Sequence, residues 1–348
     1  MARRRGITTS AVVAVALVAA GGCGGSAHAR SSIGAGISGP DDLRASVYAT
    51  GLEHAAAFAL DARGRLWVAT AGYDESSDDG LYFVSQRGAE PVEVVSGLHT
   101  PLGLLWYRGS LYVASTGKVE VFRHLHGTRF ASRRTIVKLP AKVGESNGLV
   151  ATSDGRILLG ISAPCDHCTP ASKLSGSIVS FRADGTDLRV FARRIRAPIA
   201  LAYYPGTSDL LVTMNQRDDL GTRTPGDWLA VVRSGDNWRF PDCYGQGGTA
   251  CAGVREPVAV LDPHAASAGL AIVTGGLGKS VGTAALVAEW AKGTVLQVPL
   301  TKSGDNYKGK ASPLLTGIKN PVALLLTPTG RLLVGDWTTG TIYEIAAR

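Results

Sequence analysis

Short apolar runs recur along the chain in a fixed order, each closed by a Gly or Asp turn. Residues 51–58 (GLEHAAAF) lead into 64–69 (GRLWVA), and 97–104 (GLHTPLGL) lead into 109–114 (GSLYVA). The phrase returns as Gly148-Leu149-Val150 before 155–159, as 196–201 (RAPIAL) before 210–212, and as 317–324 (GIKNPVAL) before 330–334. A weaker copy, Ala268-Gly269-Leu270-Ala271, precedes 284–287. Each run is too short for a helix and rich in residues that favour strands. The small residue of each copy falls at 57, 103, 148, 200, 269 and 323, giving spacings of 46, 45, 52, 69 and 54.

Six units of this size, each an apolar strand, a turn, a second strand and often an outer strand such as 176–181 or 293–298, cannot bury their faces alone. Radial stacking solves the problem, so the pattern predicts an all-β, six-bladed β-propeller with small residues crowding its axis. A β-sandwich would not repeat one phrase six times. Ser46–Ala49 and Thr341–Ile345 are both strand-like, and pairing them would close the ring and remove exposed edges. No helix of useful length is foreseen, so residues 44–348 form a single domain. The longest spacing contains Arg217 to Arg255, a stretch expected to be a long functional loop.

The N-terminus has a different composition. Arg3, Arg4 and Arg5 precede an apolar stretch from Ala11 to Ala20 that is too short to span a membrane, and small residues lead into Cys23. Ala20-Gly21-Gly22-Cys23 resembles the processing box of bacterial lipoproteins. Residues 1–22 are therefore expected to be a signal peptide, with Cys23 lipidated and residues 23–43 a flexible tether. That places the protein outside the cytoplasm, on the outer face of the cell membrane. Plain secretion with cleavage near Ala29 is the alternative.

Export changes the meaning of charge and cysteine. The chain carries +8, and loss of residues 1–22 removes three Arg and no acid, leaving +5. Basic pairs such as Arg133/Arg134 and Arg193/Arg194 lack the interleaved aromatics of a nucleic-acid binder, which excludes that class. An oxidising compartment favours two local disulfides, Cys165 with Cys168 and Cys243 with Cys251, over a four-Cys zinc site whose spacing fits only in part.

Several motifs then point to one family. They are Pro164-Cys165-Asp166-His167-Cys168, Leu201 to Thr207 (LAYYPGT), Asn215 to Gly221 (NQRDDLG), Pro225-Gly226-Asp227, and Asn237 to Tyr244 (NWRFPDCY), continued more weakly by Asp262-Pro263-His264 and Glu289-Trp290-Ala291-Lys292. Together these resemble the glucose/sorbosone dehydrogenases, sugar dehydrogenases that carry pyrroloquinoline quinone (PQQ) and calcium on a six-bladed propeller. The resemblance implies a sugar ligand oxidised by hydride transfer to the quinone. It places Arg196 on the family's active-site Arg and sets Trp238, His264 and Lys292 around the cofactor. Asn215, Asp218 and Asp227 become oxygen donors of the kind calcium takes.

The departures are specific. Where the family has its catalytic His, this chain has Val143-Gly144-Glu145-Ser146-Asn147-Gly148, so the expected base is absent; Glu145 is a candidate to replace it if burial raises its pKa, against the plainer reading of an exposed carboxylate beside a turn Gly. The Asn after the family's Arg is Ala197. Two alternatives follow. One is a propeller that has lost its chemistry and binds a carbohydrate or a protein. The other is a calcium-dependent, lactonase-like hydrolase, to whose phrases Glu145-Ser146-Asn147-Gly148 is similar. Remaining residues take plainer roles: Asp74, Glu75, Asp78 and Asp79 a solvated turn, His124 and His126 solvent-facing, and His54 and His99 structural or channel-lining. Trp67, Trp106, Trp290 and Trp337 are assigned to core or interblade packing, access of Asp336-Trp337 to the channel being the lesser alternative.

Overall fold

The computed structural model describes residues 30–73 and 79–348. The expected Cys23 lipidation site and most of the acidic turn lie outside the described residues. Six antiparallel sheets form a ring, and their innermost strands are Ala55–Leu60, Gly103–Tyr107, Ser146–Ala151, Ala197–Tyr203, Ser267–Thr274 and Pro321–Leu326. The first four sheets then step outward in chain order, as in Leu66–Thr70, Leu81–Val84 and Val92–Val95 of the first blade. Among the described residues, helix is confined to 3-10 turns such as Trp290–Lys292, and none is long and apolar enough to cross a membrane.

The repeated small residues crowd the axis for a measurable reason. A Cβ on Gly103 would lie 2.2 Å from the Asn147 carbonyl oxygen, one on Gly148 would lie 2.8 Å from that of Ile199, and one on Gly269 would lie 2.3 Å from that of Val322. In each pair the second residue belongs to the next blade's inner strand. Outside this hub the second strands carry the core, with Trp67, Leu111, Leu158, Leu211, Leu286 and Leu333 all inaccessible. The ring closes as the pattern predicts: Leu43–Ala49 pairs with Thr341–Ala347, matching Val47 to Tyr343 and Ser46 to Glu344. N-terminal and C-terminal strands thus share the sixth blade.

Two segments depart from expectation. Residues 30–40, assigned to a flexible tether with the rest of 23–43, form a hairpin of Arg30–Gly34 and Ile37–Pro40 on the outer edge of the fifth blade. Ile33, Ile37 and Leu43 enter the core, and this apolar spacing overrides the Gly and Ser content that suggested a tether. The stretch Arg217 to Arg255 is also not one loop, because Gly226–Val232 crosses it as the third strand of the fourth blade. Both disulfides are present, Cys165–Cys168 and Cys243–Cys251.

Candidate active site

A cavity of about 570 Å3 occupies the hub, and the inner strands of all six blades contribute to its wall. Ala57, Leu104, Leu149, Leu201, Leu270 and Leu324 make most of that wall apolar. Its polar and aromatic groups gather where chain enters the inner strands and leaves the second ones. Glu145 comes from an entry, whereas Tyr73, Asn215, Trp290 and Trp337 come from the exits of the first, fourth, fifth and sixth blades. That end of the ring is the mouth.

Glu145 is placed by a tight turn. A Cβ on Gly144 would sit 1.9 Å from the Ser162 carbonyl oxygen, so the backbone there passes against the neighbouring strand, and Ser162 N–H donates to the Glu145 carbonyl at 3.0 Å. The side chain keeps accessible area because it faces a cavity, yet protein surrounds it on the remaining sides. That desolvation pushes the carboxyl above its ordinary range, and the charge of Arg196 offsets part of the rise.

Trp337 and Trp290 form a rigid aromatic corner, edge to face with centroids 6.1 Å apart. Trp337 donates from its indole N–H to the Ala71 carbonyl at 2.9 Å and packs on His54 at 4.3 Å. Asn320 holds Trp290 through its carbonyl at 2.9 Å. Asn215 also lines the cavity, and its amide oxygen is buried without a partner. Asn147 has a structural bond set, donating to Ser162 Oγ at 2.8 Å and to the Pro198 carbonyl of the next blade at 3.1 Å.

Other candidates sit elsewhere. Arg196 donates to Asp166 in the Cys165–Cys168 loop, and the same carboxylate oxygen accepts the Asp218 N–H at 3.2 Å. It does not line the cavity, and its Nε is buried without a partner. His264 turns one ring nitrogen to the Asp218 carboxylate at 3.2 Å and the other to the Gly221 carbonyl at 2.9 Å. Lys292 is exposed and outside the cavity wall. Trp238 is buried in the fourth blade's core against Trp228, at 5.9 Å.

Asp227 is a staple between blades. One oxygen accepts the Gln216 N–H at 2.8 Å, and the other accepts the Ser267 N–H at 3.0 Å and its hydroxyl at 2.9 Å. Asp79 does the same in the first blade, accepting from Gly72 and from Thr100 of the next blade's approach. Among the described residues no three His, Cys, Asp or Glu side chains converge as a metal site.

Neither a protein-family model nor a curated protein matches the chain. Solved structures do. The holo PQQ domain of pyranose dehydrogenase from Coprinopsis cinerea superposes with a TM-score of 0.72 at 16% identity, covering 89% of this chain and 97% of that one. The PQQ-bound aldose sugar dehydrogenase of Streptomyces coelicolor gives 0.68 at 18% identity, covering 89% and 100%. The apo soluble aldose sugar dehydrogenase of Escherichia coli gives 0.69 at 15%, covering 88% and 100%. The chain shares their propeller fold. At this identity fold is what the likeness carries, and function rests on the site.

Proposed function

We propose that this protein is a binding propeller that takes a small neutral sugar at the mouth of its central channel. The observation that carries this reading is the cavity wall itself. Trp290 and Trp337 offer flat apolar faces, Glu145 and the unpartnered Asn215 offer hydrogen bonds, and among the described residues no Lys or Arg lines the space. A pyranose has an apolar C–H face and a rim of hydroxyls, which matches a pocket of aromatic anchors and few polar groups. Sugar ligands are also what the dehydrogenases of the same fold act on by name.

PQQ is a planar quinone with three carboxylates, and the residues present do not fit it. Such an anion needs cations against it, whereas among the described residues the charged side chain in this wall is the acid Glu145. Arg196 is engaged by Asp166, Lys292 lies outside, and both nitrogens of His264 face protein acceptors. Calcium fits no better, since both Asp227 oxygens are already bonded.

Sugar oxidation through PQQ is the second reading. It is favoured by the unpartnered Arg196 Nε and by the field Arg196 exerts on Glu145, which bring an acid and a guanidinium to one side of the mouth. Titrating the purified protein with an aldose panel, without cofactor, separates the two. The binding reading expects saturable quenching of tryptophan fluorescence that Trp337→Ala abolishes. Absence of any response from every sugar would contradict it.

We also propose that the chain is exported and held to the membrane through Cys23. Support comes from the basic start, the apolar stretch 11–20 and the small residues before Cys23. Two disulfides suit an oxidising compartment. Labelled palmitate should enter the wild type in a bacterial host and not Cys23→Ser; equal labelling of both would refute the anchor.

A further inference from the structure

A second cavity of about 540 Å3 lies at the periphery of the ring, away from the hub. One wall is the strand Arg189–Arg193, the outermost of the third blade, and the others are the segments 169–175 and 235–241. Its body is apolar, with Phe191, Phe240 and Pro241 facing the space. Arg193 and Lys173 also line it, and neither makes an ion pair among the described residues. Arg193 has a fixed base, because its N–H donates to the Asp236 carbonyl at 3.0 Å and its own carbonyl accepts the Trp238 N–H at 3.0 Å. The other charges are spent: Arg194 pairs with Asp242 at 2.6 Å, and Asp236 faces Arg255 at 3.6 Å.

Ser175 supplies the independent observation. It is 7% exposed, lines the same cavity, and its hydroxyl has no hydrogen-bond partner. A buried hydroxyl without a partner is a hydrogen-bonding position that a water or a bound group fills, and of the hydroxyls so placed among the described residues Ser175 is the one that lines this cavity. Here it lies in a pocket with two unpaired cations and an aromatic floor.

We propose that this peripheral pocket binds a small carboxylate carried on an apolar body. The guanidinium of Arg193 and the ammonium of Lys173 would take the carboxylate, the Ser175 hydroxyl would donate to one of its oxygens, and the apolar body would lie against Phe191 and Phe240. This site does not depend on the reading of the hub, with which it shares no residue.

Benzoate is the probe, followed by ligand-observed NMR on the purified protein, with benzamide and inorganic phosphate as comparisons. Benzoate is expected to bind saturably, benzamide at least tenfold more weakly, and phosphate more weakly than benzoate. Arg193→Gln and Lys173→Gln, both at exposed side chains, should each raise the benzoate dissociation constant by about fivefold to tenfold, and Ser175→Ala by about threefold. Unchanged thermal melting and unchanged sugar quenching in the two charge variants show that the fold is intact. Equal binding of benzoate and benzamide, equal binding of phosphate and benzoate, or indifference to both charge variants would each overturn the proposal.

Discussion

Glu145 occupies a place that stability alone would not choose. Burial raises its carboxyl above the ordinary range, so the folded state holds the proton more tightly than the unfolded chain does. Its contribution to stability is complete at acidic pH and falls as pH rises through that raised value. Glu145→Gln should therefore raise the melting temperature at neutral pH while weakening sugar binding by about tenfold, since the carboxylate is the stronger acceptor. A variant that loses both stability and binding would mark Glu145 as a packing residue.

Glu289 tests the same logic outside the wall. It is fully buried in the fifth blade, one carboxylate oxygen has no partner, and burial with the charges of Asp262 and Asp227 pushes it up to about 7. Between an ordinary value near 4.5 and 7 the unfolded chain ionises first, so stability should fall across that window by on the order of 3 kcal/mol. Glu289→Gln should flatten that part of the curve, measured as the wild-type minus variant difference in unfolding free energy against pH. An unaltered slope would show that Glu289 does not titrate there.

At the scale of the element, much of this arrangement was legible in the sequence. The inner strands follow from the recurring apolar phrase, and their small residues follow from the close approach of neighbouring strands at the hub. Gly103→Ala should cost at least about 2 kcal/mol, because a methyl 2.2 Å from the Asn147 carbonyl oxygen forces the backbone to move. Chemical denaturation measures this directly, and a neutral result would mean the hub is looser than the strand spacing indicates.

Other elements were legible only in part. Asp227 and Asp79 both stand at the start of a third strand, and that shared position signals a staple between blades better than it signals a metal ligand. Trp290 and Tyr73 leave the second strands of their blades and turn into the cavity. Sequence alone assigned Trp290 to packing because an apolar residue ending a strand looks the same whether it turns to the core or to the channel. Residues 30–40 were misjudged because Gly and Ser dominate there, while Ile33 and Ile37 decide the packing.

At the scale of the whole molecule, the ring brings together residues far apart in the chain and leaves a single hub whose wall decides the chemistry. A propeller shared with quinoprotein dehydrogenases provides the frame, and the side chains lining the frame fix what it accepts. Among the described residues this wall carries Glu145 as its charged group and no Lys or Arg to meet a tricarboxylate. The most direct measurement is equilibrium dialysis of the purified protein against PQQ with calcium, followed by dye reduction with glucose. The account predicts that no PQQ is retained and no dye is reduced, while the same preparation still binds sugar. Retention of one equivalent of quinone with sugar-dependent dye reduction would contradict it.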